Sequence, residues 1–187
     1  MGAWDIENHM SSIQSFPPIE SPAASILILG SMPGKESLRT GQYYAHRRNA
    51  FWPIMGELIG ATPNLPYKMR IQILKSANIA LWDVLASCTR HGSMDADIEA
   101  DSICTNDFAS FFLKHPHITH AFFNGSMAER CFHKHVRLEP RPLHYLRLPS
   151  TSPANASMRY EHKLDAWKVI LQCQSPERLI SPPHRIK

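Results

Sequence analysis

The sequence predicts an α/β protein, a three-layer α/β/α sandwich in which helices cover both faces of a central four-stranded parallel sheet. Four short apolar runs are typical of strands buried on both faces. Segments with helical periodicity separate these runs, and alternation of strand and helix favours a parallel sheet. The predicted strands are residues 25–29, 79–85, 119–124 and 144–148.

Each gap between the predicted strands holds a helical pattern. Residues 51–59 and 67–77 fill the first gap, residues 101–115 the second and residues 127–135 the third. A last helix is predicted over residues 157–173, after the fourth strand. Crossovers between parallel strands are right-handed, so the helices should divide between the two faces.

Length and composition indicate one domain. The chain has 187 residues and is 43% hydrophobic, which suits a single packed core. We expect the core to span about residues 23–174, with residues 1–22 and 175–187 peripheral. No apolar run reaches the roughly 20 residues that cross a membrane, and the N-terminus lacks a signal-peptide pattern. We therefore expect a soluble, cytoplasmic protein with free cysteine thiols.

The charge distribution suggests a partner. The net charge is +4, and residues 127–147 carry five bases against two acids, whereas residues 83–107 carry six acids against one arginine. Together with His46, Arg47 and Arg48, the basic segment could form a face for phosphates. Scattered surface charge is the alternative interpretation, and charge alone favours it.

In open parallel sheets the site lies beyond the carboxyl ends of the strands. This rule selects the loops that start at Gly30, Ala86 and Asn124, and the segment 149–155. That last segment is small and polar and precedes a helix, so it could hold an anion or simply cap the helix.

Common cofactor motifs are missing from the sequence. It contains neither G-x-x-x-x-G-K-[ST] nor G-x-G-x-x-G, which argues against ATP-driven and dinucleotide-dependent enzymes. The histidines of residues 115–135 are irregularly spaced and lack nearby carboxylates, so we expect no metal.

Four segments carry a resemblance to a known family. They are GSMPGKESLRTGQYYAHRRNAFW (30–52), LWDVLASCTRHGSMDADI (81–98), FFNG (122–125) and LPSTSPANA (148–156). In order and spacing they resemble the uracil-DNA glycosylase superfamily, most closely its hypoxanthine-DNA glycosylase branch, over roughly residues 24–170. The resemblance implies an α/β/α fold, DNA as partner, no cofactor, and hydrolysis of the N-glycosidic bond of a deaminated base flipped out of DNA.

The resemblance also assigns roles to residues. It implies that Asn49 and Asn124 are catalytic, with Asn124 also contacting the base edge, and that Tyr44 stacks on the base. The loop of Gly30, Ser31, Met32, Pro33 and Gly34 would present its backbone to the base and the water. Met32 stands where mismatch-specific relatives have asparagine, and Arg47 where the branch often has proline. The DNA-binding residues would be His46, Arg47, Arg48, Ser150, Thr151, Ser152, Pro153, Ala154 and Asn155.

The chemistry is consistent with a pocket poor in acids. A hypoxanthine or uracil anion leaves readily, so one oriented water and hydrogen bonds to the base could suffice. Asp83 is the best acidic candidate, and we favour a structural role for it. The leading hypothesis is a monomeric, monofunctional DNA glycosylase for hypoxanthine, uracil or both. The alternatives are a weak or inactive lesion-binding protein of the same fold and a hydrolase of free nucleosides.

Overall fold

The computed structural model describes residues 12–90 and 97–173. Its central sheet is parallel, with strand order β3-β2-β6-β7. The bounds of these strands are β2 Ile26–Gly30, β3 Ile79–Asp83, β6 His120–Asn124 and β7 His144–Leu148. All four predicted strands of the sheet are present, which confirms the predicted fold class.

Helices follow the strands along the chain. In order they are α1 Lys35–Thr40, α2 Phe51–Ile59, α3 Tyr67–Ser76, α4 Phe108–Lys114, α5 Ser126–His135, α6 Tyr160–Trp167 and α7 Val169–Gln172. The predictions for α2, α3 and α5 are confirmed within one residue at each end. Helix α1 was not predicted, since its segment was interpreted only as a pocket loop.

Two hydrophobic clusters lie on opposite faces of the sheet, because alternate residues of a strand point to opposite sides. Leu27 and Leu29 of β2 belong to the cluster that contains Phe108 of α4. Ile26 and Ile28 belong to the cluster of α2, α3, α6 and α7. The sheet is therefore the middle layer of a sandwich.

The predicted strand over residues 79–85 is too long. It ends at Asp83, and after Val84 the chain enters β4, Leu85–Thr89, which belongs to a second sheet. That sheet is antiparallel, in the order β1-β4-β5, with β1 Ser12–Gln14 and β5 Cys104–Thr105. The apolar run is continuous across the switch, so periodicity alone could not locate it.

Two predicted helices start too early. Residues 101–115 hold the end of a short 3₁₀ turn, Ala100–Ser102, then β5, and only then α4. Asp107 caps α4, since its carboxylate accepts a hydrogen bond from Ser110 N at 3.0 Å. The last helix begins at Tyr160 rather than at residue 157 and is interrupted after Trp167.

The N-terminal segment is more integrated than expected. Strand β1 pairs with β4, Ile19 is buried and bridges to Leu81, and the Trp82 indole donates to Phe16 O. Residues 1–11 and 174–187 lie outside the described residues, as does the 91–96 part of the second motif. Within the described part of the chain, every helix is too short or too polar to cross a bilayer.

Candidate functional site

One cavity of about 960 Å³ opens at the carboxyl ends of the parallel strands. Strand-end loops, the segment before α2 and the loop after β7 enclose it. Every predicted site residue except Arg47 lines this cavity: Gly30, Ser31, Met32, Pro33, Gly34, Tyr44, His46, Arg48, Asn49, Asn124, Ser150, Thr151, Ser152, Pro153, Ala154 and Asn155. The sequence motifs, far apart in the chain, thus meet in one pocket.

A glycine, a carboxylate and a phenol meet at the floor of this cavity. Gly30 ends β2 and pairs in register with Asp83, the last residue of β3. A Cβ atom on Gly30 would collide with Asp83 Oδ1 and would lie 2.9 Å from the Tyr44 hydroxyl. Only glycine therefore lets the Asp83 side chain and the Tyr44 hydroxyl approach the backbone here.

Backbone hydrogen bonds hold the loop after Gly30 in place. Val84 N donates to Gly30 O at 2.8 Å, and Leu85 N donates to Ser31 O at 3.1 Å. The buried Arg90 guanidinium, which follows β4, also donates to Pro33 O at 2.8 Å. The floor of the cavity is therefore a fixed surface rather than a mobile loop.

Two adjacent tyrosines divide between core and pocket. Tyr43 is buried, and its hydroxyl lies 3.2 Å from both Phe16 O and Pro17 O, which share its one donor hydrogen. Burial raises the pKa of Tyr43, and the negative charge of Asp83 raises it further. Tyr44 has a positive φ of 54° and stacks on Phe51 with centroids 4.1 Å apart, so one ring face is covered within the protein.

A tight turn carries the basic residues at the mouth of the pocket. His46 O accepts a hydrogen bond from Asn49 N at 2.7 Å, and His46 Nδ1 accepts one from Arg48 N at 3.1 Å. His46, Arg47 and Arg48 are all exposed. Hydrogen bonds therefore close the turn, with Arg47 between His46 and Arg48.

The Asn49 amide faces the cavity from the start of α2. Asn49 Oδ1 accepts a hydrogen bond from Phe51 N at 3.0 Å, which fixes the rotation of the side chain. The amide is half-buried beside the pocket. An amide held in this way has one acceptor lone pair and its NH₂ group left for other partners.

Asn124 is tied to the loop after β7 by both ends of its amide. Its Oδ1 accepts a hydrogen bond from Thr151 N at 2.9 Å, and its Nδ2 donates to Thr151 Oγ1 at 2.8 Å. Thr151 is buried, so these bonds anchor the loop to the sheet. The same side chain was predicted to contact the base, and one N–H of its NH₂ group and one lone pair of Oδ1 are left for that contact.

The loop of residues 150–155 is braced internally and from α6. Asn155 Nδ2 donates to Ser150 O at 3.0 Å, and the buried Lys163 ammonium donates to Asn155 O at 2.8 Å. Burial lowers the pKa of Lys163. Gly125, with φ of 96°, lies so close that a Cβ atom there would be 2.8 Å from Ser150 Cβ.

Several cavity residues were not predicted as site residues. Arg147 and Lys35 add positive charge to the rim, and Met158 adds an exposed apolar side chain beside the loop of residues 150–155. Arg147 also pairs with Glu129 at 2.9 Å. Arg147 could have been found from its place at the end of a strand, whereas nothing in the sequence singles out Met158.

The histidines considered for metal binding are dispersed. His115 is buried and bonded to Glu20 at 2.7 Å, while His120 stacks on His144 at the amino-terminal ends of β6 and β7. Burial, and then the neighbouring His144, lower the pKa of His120. Among residues 12–90 and 97–173, no group of three or more possible ligands could hold a metal ion.

Comparison with known proteins gives consistent results. The sequence model of the Uracil DNA glycosylase superfamily matches residues 17–171. A protein of Methanosarcina barkeri named Hypoxanthine DNA glycosylase is 39% identical over 113 residues, which cover 60% of this chain and 70% of that protein. A Methanosarcina acetivorans protein of the same name is 37% identical over 116 residues, 62% of this chain and 72% of the relative.

A solved structure shares the fold. The solution NMR structure of a uracil DNA glycosylase candidate from Methanosarcina acetivorans aligns with a TM-score of 0.68 and 30% identity. The alignment covers 86% of this chain and 99% of that chain. The match therefore includes the cavity-bearing sheet and its helices, not a fragment.

Proposed function

The chain belongs to the uracil DNA glycosylase superfamily, and on that premise we propose that it removes hypoxanthine from DNA as a monofunctional glycosylase, with uracil as a second substrate. The observation that carries the proposal is the cavity that the Gly30–Gly34 loop, the turn before α2 and the loop after β7 form together. Its volume is in the range of sites that enclose a small ligand. The relatives named Hypoxanthine DNA glycosylase support the choice of base.

In the proposed mechanism the target base leaves the DNA stack and enters this cavity. Tyr44, already stacked on Phe51, offers the base a ring in a fixed orientation. The fixed loop after Gly30 closes the floor. Because these groups are in place before DNA binds, little reorganisation accompanies the reaction.

Asn49 is the residue that we propose to orient the attacking water. Its side chain is held by Phe51 N, which leaves an acceptor lone pair for a water proton. An amide is a weak base, so it contributes position rather than proton removal. The bond to a hypoxanthine or uracil anion breaks through an oxocarbenium-like transition state, in which the leaving group has largely departed before water adds.

The rim of the cavity is suited to DNA. It is formed in part by the exposed turn of His46, Arg47 and Arg48 and by the small polar loop of residues 150–155, and Ala50 N, just after the turn, donates to Thr151 O at 3.0 Å. Basic and small polar side chains of this kind bind phosphates and so fix the position of the duplex. We propose that Asn124 acts mainly by holding Thr151 in this loop.

The test is a panel of single- and double-stranded oligonucleotides that carry deoxyinosine, deoxyuridine or normal bases. We expect abasic sites at deoxyinosine, with strands intact until alkali is added, and about 10²–10³-fold slower release by Asn49→Ala. Asn64→Ala, in an exposed loop away from the cavity, is the matched control and should behave like the parent.

The competing functions give different results in the same panel. Lesion binding without abasic product would show the inactive lesion-binding protein that the buried Met32 suggests. Turnover of free inosine with little salt dependence would instead show a nucleoside hydrolase, since DNA binding weakens steeply with salt. Full activity of Asn49→Ala would refute its role while leaving the glycosylase assignment intact.

A further inference from the structure

Helix α6 carries a buried cation that the mechanism above does not use. Lys163 is only 6% exposed, although lysine is almost never buried without a partner of opposite charge. Its ammonium donates to Asn155 O at 2.8 Å. Among residues 12–90 and 97–173 no carboxylate forms an ion pair with it, whereas the exposed Lys168 pairs with Asp165 at 2.7 Å. The charge of Lys163 is therefore not neutralised within the described part of the chain.

The burial of this ammonium is costly. Transfer of an ion from water into the protein interior is more unfavourable than one hydrogen bond to a carbonyl can offset. Burial is accordingly the cause that lowers the pKa of Lys163. An apolar side chain could fill the same space without this cost. A lysine at this place is explained if a bound ligand brings a negative charge close to it.

The ammonium of Lys163 lies directly behind the wall of the cavity. Asn155, whose carbonyl it contacts, lines the cavity together with Ser150 and Ser152 of the same loop. Residues 148–160 contain no acid that could repel an anion. One peptide group, with a hydrogen bond on each side of it, would separate the ammonium from an anion on the outer face of the loop. That arrangement corresponds to a distance of about 7 Å.

We propose that Lys163 is a positioning residue for DNA, which fixes the end of the 150–155 loop through Asn155 O and holds a backbone phosphate on the outer face of that loop by its charge. The inference rests on the proposed function, which supplies DNA as the source of the anion. Lys163 acts from behind the loop, so it is not a catalytic residue.

Coulomb's law gives the size of the expected effect. At about 7 Å, and with an effective dielectric constant between about 20 and 80, the attraction of one ammonium for one phosphate charge corresponds to roughly 3- to 50-fold in affinity. The phosphate does not change during hydrolysis of the glycosidic bond. The attraction is therefore the same in the bound substrate and in the transition state, and its loss should raise KM and leave kcat unchanged.

The experiment separates the charge of Lys163 from its hydrogen bond. Lys163→Gln retains an N–H donor on a side chain one atom shorter, whereas Lys163→Met removes the donor as well. Binding to a duplex is measured by fluorescence anisotropy over a range of salt concentrations, and base release is measured on the same duplex with deoxyinosine. We expect Lys163→Gln to raise KM and the dissociation constant about tenfold, with kcat changed by less than about threefold. The slope of log K against log salt should fall by about 0.5–1.

Two further variants complete the comparison. Lys163→Arg retains the charge, so its KM and salt slope should lie closer to those of the parent than the values of Lys163→Gln do. Lys168→Gln removes the same charge from an exposed lysine that does not line the cavity. It is the matched control and should leave both quantities unchanged.

A measurement on the parent protein needs no variant. The pKa of Lys163 can be followed by NMR of ¹³C-labelled lysine with and without the duplex. It should rise by about 1 on DNA binding, because a phosphate nearby favours the charged form, and a tenfold gain in affinity is equivalent to that change. An unchanged pKa in the DNA complex would overturn the inference.

The outcomes separate this inference from the function on which it rests. If the parent protein releases no base from any lesion, the proposed function fails, whereas duplex binding and its salt dependence still test Lys163. If folded Lys163→Gln binds the duplex with the affinity and salt slope of the parent, only the inference fails. The inference also fails if affinity falls equally at every salt concentration or if the loss appears in kcat, as a role confined to holding the loop would require.

Discussion

Replacement of Asn124 by alanine tests whether the sheet anchors the loop after β7. The change removes two hydrogen bonds, to Thr151 N at 2.9 Å and to Thr151 Oγ1 at 2.8 Å. Each is worth about 1 kcal/mol, and the Thr151 N–H, in a residue 1% exposed, would be left unsatisfied at a cost of about 1–3 kcal/mol. We expect a total loss of roughly 3–5 kcal/mol in the free energy of unfolding.

Thermal and urea denaturation provide the assay. For a chain of this size, such a loss lowers the melting temperature by about 6–20 °C. Asn124→Asp is the informative companion variant, because its carboxylate accepts from Thr151 N and also from the Thr151 hydroxyl, which turns into the donor. It should recover most of the stability lost in Asn124→Ala.

The result that would refute this reasoning is a melting temperature of Asn124→Ala within about 2 °C of the parent. Equal stability of Asn124→Ala and Asn124→Asp would also refute it. Thr151→Val, which removes only the hydroxyl, should lie between the parent and Asn124→Ala. The double variant Asn124→Ala/Thr151→Val should be only slightly less stable than Asn124→Ala alone, since the two residues share the same hydrogen bonds.

Further predictions concern conformation, pH and salt. Gly125→Ala should lower the free energy of unfolding in urea more than Gly41→Ala does. Both glycines have positive φ, but only a Cβ atom at position 125 would come as close as 2.8 Å to Ser150 Cβ. Equal losses of stability would contradict this contact. Burial raises the pKa of Tyr43 above its ordinary value of 10.0, so the folded protein keeps a proton that the unfolded chain loses. Stability should therefore fall as pH rises above about 10, and Tyr43→Phe should flatten that fall between pH 9 and 11; an unchanged slope would exclude Tyr43 as its source. Arg48→Ala should reduce the slope of log K for DNA binding against log salt by about 1, and an unaltered slope would show that Arg48 does not contact a phosphate.

The local pattern of apolar and polar residues was sufficient to predict most strands and helices of the fold. The buried strands β2, β3 and β6 are apolar runs, and the helices α2 and α5 were predicted from their helical pattern alone. The prediction that residues 144–148 are buried was wrong, because β7 is the edge strand and four of its five residues are exposed. Where the predictions were wrong, distant contacts decided the structure. Cys104–Thr105 is a strand because β4 is there to pair with it, a fact that no window around residue 104 contains.

The site shows the same division between sequence and structure. Nearly all of the site residues predicted from the motifs line one pocket, including the Gly30 loop and Asn49. They could not show that the Asn124 amide is largely committed to Thr151, because that depends on β6 and β7 lying side by side. Nor could they give the close approach of Asp83 to Gly30, which depends on the register between β2 and β3.

The sequence by itself therefore determined the layers of the sandwich, the family and most residues of the pocket, since periodicity and motif spacing are local properties of the chain. The tertiary structure alone decided which polar groups in the pocket are already bonded and which face its interior. The reason is physical: a hydrogen bond is made or lost over a few tenths of an ångström, and only the packing of strands distant in sequence sets that distance.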